Sequence, residues 1–113
     1  MEWQEVVDRD DIVGGDIECQ EGGSIYRGPI KSIRIDDEGM VHFDSDWIAV
    51  LDPRGDGWRK HDKTSTFVNG ELIKPQDIGD GRVMAMIPTM GPITIFPKGG
   101  SKLDSAKVKG LEL

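Results

Sequence analysis

At 113 residues the chain is long enough for one domain with a single hydrophobic core, and too short for two. No apolar run approaches the roughly 18–20 residues that span a bilayer, and the start MEWQEVVDRDD lacks the basic and apolar stretches of a signal peptide. A formal charge of −7 argues against nucleic acid as the main partner, and a lone Cys19 cannot staple the fold, so the cytoplasm is the expected location.

The charge is uneven: residues 1–57 hold fifteen of the 21 acids but only five of the 14 bases. Either the two halves interleave and compensate, or an acidic face steers a basic partner. Fifteen glycines punctuate short apolar runs, the spacing of an all-β domain.

In chain order, DIECQ (16–20) alternates, with Ile17 and Cys19 on one face, and predicts a half-buried strand. In SIYRGPIKSIRI (24–35) the apolar parity changes at Gly28-Pro29, so a bulge or bend is expected there. IDDEGMVHF predicts a hairpin whose three-residue loop ends in Gly39 and pairs Ile35 with Val41 and Ile33 with Phe43. WIAVL is apolar on both faces and reads as a covered central strand. DPRGDG is turn chemistry, and a symmetric loop sets Leu51 opposite Trp58, Ile48 opposite His61 and His42 opposite Phe67. Trp47 and Trp58 then serve as core or cover, and the Arg54-Gly55-Asp56 triplet is a turn rather than an adhesion signal.

FVNGELI predicts a second hairpin, with a type I′ turn at Asn69-Gly70 placing Phe67 opposite Leu72. KPQDIGDG reads as a loop. RVMAMI and ITIF are strands expected to pair Ile87 with Ile93 and Ala85 with Ile95, with Met84 and Met86 filling gaps on the second face. Over 103–110, Asp104 caps and Gly110 ends a short helix that must dock on the sheet to persist.

Candidate chemistry is thin. His42, Asp44 and Asp46 share one side of a strand, and with His61 they suggest a His-x-Asp…His iron site. The hairpin register sets the two histidines about 20 Å apart, against a shared metal. Asp44 and Asp46 have the spacing of an acid–base pair but no evident cleft. Cys19 has acidic neighbours, which raise a thiol's pKa and blunt a nucleophile. DRDDIVGGDIE does not keep calcium-loop spacing, GGDIECQEGG lacks the lysine and helix of a phosphate cradle, and WRKHDK is a weak single-strand signal.

The expectation is therefore a single domain, residues 1–113, all-β: a small antiparallel barrel or rolled sheet of six or seven short strands with a short C-terminal helix. It resembles SH3-like barrels in strand length and hairpin succession. The Ala-Leu-Tyr-Asp-Tyr run of SH3 domains is absent, so their proline-rich peptide specificity does not carry over. The expected function is a non-enzymatic protein-binding module without a cofactor, meeting a basic protein or peptide through Asp10, Asp11, Asp16, Tyr26, Asp44, Asp46 and Trp58. The alternatives are a metal-dependent enzyme centred on His42 and Asp44, and a homodimeric structural subunit pairing through strand edges.

Overall fold

The computed structural model describes residues 1–55, 57–61, 66–88, 90–100 and 104–111. Among these residues a short helix, α1 (Trp3–Val7), comes first, and ten strands follow: β1 (Asp16–Glu21), β2 (Ser24–Pro29), β3 (Ser32–Ile35), β4 (Met40–Asp44), β5 (Ile48–Leu51), β6 (Arg59–His61), β7 (Thr66–Asn69), β8 (Gln76–Gly79), β9 (Arg82–Ile87) and β10 (Gly91–Phe96). They form two antiparallel sheets, one ordered β6-β5-β2-β1-β10-β9-β8 and one β3-β4-β7. The molecule is predominantly β, as expected, but among the described residues the sheets do not close into a barrel.

The physical reason lies at two corners where the backbone leaves one sheet for the other. The first is the parity change at Gly28-Pro29: β2 belongs to the large sheet and β3 to the small one. Between them, Ile30 is fully buried and exchanges main-chain hydrogen bonds with Gly14 and Gly15. The second is Ser45–Trp47, where β4 of the small sheet becomes β5 of the large one. These corners cross closely, since a Cβ on Gly28 would stand 2.7 Å from the Trp47 carbonyl oxygen. Strands that switch sheets make a folded-over sandwich, and the large sheet keeps its edges at β6 and β8.

The DEG hairpin takes the expected register, Ile35 opposite Val41 and Ile33 opposite Phe43, with Gly39 at φ +82°. Asp36 adds to it, since its carboxylate accepts from the Glu38 and Met40 amides. The expected register across DPRGDG also appears, with Ile48 opposite His61 and His42 opposite Phe67. One pair is in the large sheet and the other in the small, so a single ribbon is bent across both.

Three expectations change. Asn69-Gly70 makes no hairpin: the Asn69 side chain accepts from the Glu71 and Leu72 amides and its carbonyl accepts from Ile73, which coils the chain away. Gly70 is small because its backbone lies against Gly39 and Trp3, not because φ is positive. The β9–β10 register is two residues off, Ile93 meeting Ala85 and Ile95 meeting Val83, a slip that preserves which face is buried. The helix over 103–110 reduces to one 3-10 turn, Ser105–Lys107, with Asp104 accepting from the Ala106 amide; Leu103 lies outside the described residues. Beyond the turn, Lys109 bridges to Arg59 along β6. The loop expected at KPQDIGDG contains β8, and α1 was not anticipated at all.

One core lies between the sheets. Val41, Phe43 and Val68 of the small sheet meet Ile17, Val83, Ala85, Ile93 and Ile95 of the large one, and α1 adds Trp3 and Val6. Trp3 stands edge-on to Phe43, centroids 6.0 Å apart, while its indole N–H donates to the Ile73 carbonyl at 2.7 Å. That bond supplies the partner a buried indole requires.

Candidate functional site

The inner face of the large sheet is wider than the small sheet that covers it. Where cover stops at β7, the face continues as a groove of about 750 Å³. Its floor follows from strand alternation: Cys19 pairs with Tyr26 on one side and Ile93 on the other, and Ile48 pairs with His61, so all five share the inward face. Thr66 and Phe67 of β7 form one lip, Ile87 and Met90 another, and Glu21 and Ser24 close the end by the β1–β2 turn. Met90 is 42% exposed, a large apolar side chain held at the opening rather than packed. The exposed Phe67 ring instead lies beside His42 on the outer face of the small sheet, so Phe67 borders the groove with its main chain.

Two contacts give the floor its shape. Tyr26 and His61 stack edge to face, centroids 5.4 Å apart with planes at 88°. Ser24 donates to Asp52, which also accepts from Arg59; the serine first, then the guanidinium, holds the Asp52 carboxyl below its ordinary range. Burial pushes the Cys19 thiol up, and Glu21 and Glu18 push it further. A thiol kept protonated is a packing group and a poor nucleophile. It is also separated from His61 by β2 and β5, about 14 Å at the usual strand spacing, so the two form no catalytic dyad.

The residues singled out from sequence fall in two places. Tyr26 is in the groove, and the acids are elsewhere. Asp16 is buried at the start of β1. Nearby, Ile30 bonds to Gly14 and Gly15, and the next residue, Lys31, takes the Asp44 carbonyl through its amide and the Asp46 carboxylate through its ammonium at 3.0 Å. Asp44 accepts from the Ser32 hydroxyl at 2.7 Å. Asp11 is gripped by Arg9 through two hydrogen bonds of 2.8 and 2.7 Å, which hold its carboxyl below the usual range. Asp10 is exposed in the same loop. Asp16, Asp44 and Asp46 thus gather near one end, with Asp46 paired to a base, and Tyr26 turns away from them. Trp58 is half-buried, its carbonyl accepting from Lys109.

His42 is on the outer face of the small sheet and pairs with Asp36 at 2.7 Å, a partner the sequence reading did not assign. His42 and His61 are in different sheets, and no cluster of three metal-ligating side chains exists among the described residues. Asp62 and Lys63 of the WRKHDK patch and Asp56 of the Arg-Gly-Asp triplet lie outside them. Of the groove, the sequence points to Tyr26 alone as a binding residue, and to Cys19 and His61 only as candidates for other chemistry. The exposed Phe67 was legible as the odd apolar residue of β7, but only knowledge of where β4 leaves off shows that it borders an opening. Compared with known proteins, the chain matches no family model, no curated protein and no solved structure.

Proposed function

We propose that this chain is a non-enzymatic binding module that receives an apolar segment of a basic protein or peptide in the groove between its sheets. The observation that carries the reading is the lining: Tyr26, Ile87 and Met90, each at least partly exposed, together with buried Ile48 and Ile93, border about 750 Å³ beside the small sheet. That volume is in the range of ligand sites, and each Å² of apolar surface removed from water contributes roughly 25 cal/mol. Glu21 at the rim and the charge of −7 favour lysine or arginine beside the apolar anchor and speed its encounter. The loop with Asp10 and Asp11 serves as a secondary, salt-sensitive contact. A cytoplasmic location belongs to the same reading, since a reduced cysteine in a binding groove suits a reducing compartment.

The test is an NMR titration with two valine-rich peptides, one flanked by lysine and one by glutamate, at low and high salt. The lysine-flanked peptide should bind more tightly, shift Tyr26 and Ile93, and weaken with salt. Met90→Asp should abolish the effect, while Asp10→Lys with Asp11→Lys should only reduce it. Shifts confined to residues 8–16 would move the contact to the acidic loop, and no shift with either peptide would end the proposal.

A further inference from the structure

Among the described residues the sheets leave four strand edges, and three of them are occupied or guarded. Along β6, the Lys60 amide donates to the Lys109 carbonyl at 2.8 Å and the Lys109 amide to the Trp58 carbonyl at 3.0 Å. Against β3 packs α1. At β8 the ladder is broken by a bulge between Asp77 and Gly79, where the Asp77 carboxylate takes the Gly79 amide, and a charged, bulged strand resists further pairing.

The fourth edge, β7, is a lip of the groove. The Gly70 amide donates to the Gly39 carbonyl at 3.0 Å, and β7 pairs with β4 in continuous antiparallel register from there. Main-chain direction alternates along such a strand. Thr66 and Val68 therefore address β4, and the Phe67 N–H and C=O point off the edge over the groove side. Side chains alternate too: Val68 is buried, so Thr66 faces inward and Phe67, opposite His42, outward.

We propose that the groove is filled by β-strand addition: an extended peptide of about four residues, the length of β7, pairs antiparallel with it through the Phe67 main chain. Parity fixes the rest. The peptide residue directly opposite Phe67 bonds to it and turns its side chain outward, and its two neighbours drop apolar side chains toward Tyr26, Ile48 and Ile93. A lysine or arginine at the peptide's end meets Glu21. The inference rests on the groove being the binding site, and it adds how the partner is held and which of its residues are read.

The experiment uses the whole chain and a capped heptapeptide, Lys-Val-Thr-Val-Thr-Val-Lys, with the neutral apolar dye Nile red as a groove probe that cannot form a strand. Amide shifts and dissociation constants are measured for the parent, for a form N-methylated at both threonines, and for a form N-methylated at two valines. The parent should shift the Phe67 amide and displace the dye. Methylating the threonines, whose amides face β7, should weaken binding about tenfold, whereas methylating the valines should change it less than twofold. Two outcomes overturn strand addition while leaving the groove reading intact: equal binding of all three peptides with dye displacement, or peptide shifts at Ile93 and Tyr26 without any at Phe67. Greater sensitivity at the valines overturns the antiparallel pairing proposed. If neither dye nor peptide moves any groove resonance, both proposals fall together.

Discussion

The covered and uncovered parts of one sheet face make the sharpest contrast in this molecule. Under the small sheet, Ile17, Ile95, Val83 and Ala85 are sealed by Val41, Phe43 and Val68, and almost nothing reaches solvent. A few ångströms on, beyond β7, the same face borders an opening where Tyr26 and Ile87 are partly exposed while Ile48 and Ile93 stay buried. Both parts come from the same period-two pattern in the same strands, so pattern alone does not separate core from site. The extent of the covering sheet does.

Substitutions can break that contrast in graded steps. The largest effect is expected from Phe43→Ala in the sealed part: a fully buried ring that also meets Trp3 should cost about 3–5 kcal/mol, read from urea denaturation midpoints. Gly28→Ala attacks the corner that sets how far the small sheet reaches. Its new methyl would meet the Trp47 carbonyl oxygen at 2.7 Å, and the overpacking should cost about 1–3 kcal/mol. Phe67→Ala removes a ring of comparable size that stands exposed beside His42 on the outer face, yet stability should change by no more than about 0.5 kcal/mol, and groove binding, which uses the main chain here, should hold. A loss as large as that at Phe43 would show that the lip is core after all.

The smallest expected effect concerns acid. Asp36 is held below the ordinary carboxylate range, first by His42 and then by the Met40 and Glu38 amides. A lowered folded value means the stabilisation is fully present above the unfolded carboxylate pKa of about 3.9 and is lost as pH falls through the folded value. In Asp36→Asn the acid limb of the stability–pH curve should flatten, and its difference from the parent chain should shrink between about pH 5 and pH 2. An undiminished difference at low pH would mean the asparagine harms the hairpin by another route.

Local chemistry was legible where it decides local structure. The Gly39 turn, the alternation in β1 and the parity change at Gly28-Pro29 each follow from a few residues, and each appears in the fold. What the sequence does not display is the fate of a bend. A parity change is compatible with one sheet curling into a barrel or with the chain crossing to a second sheet, and the close approach of Gly28 to Trp47 selects the second. Asn69-Gly70 misleads for a related reason: its dipeptide suits a type I′ turn, but Trp3, distant in sequence, occupies the space beside Gly70 and the Asn69 side chain starts a different turn. The groove stayed hidden because its floor draws on five strands and its lips on two more. The acidic residues were conspicuous by type, and several turn out to be held by Arg9, Lys31 or Ser32.

The position of β1 bears on how the chain is made. Its partner on one side, β2, follows after a two-residue turn, whereas on the other Asp16 waits for Phe96, 80 positions later. Until β10 emerges, β1 offers a bare ladder of donors and acceptors beside Ile17, and closing so long a loop is slow compared with forming any of the hairpins. The nascent protein therefore passes through a stage in which its most central strand is its stickiest, and chains truncated before Ile93 should aggregate rather than fold.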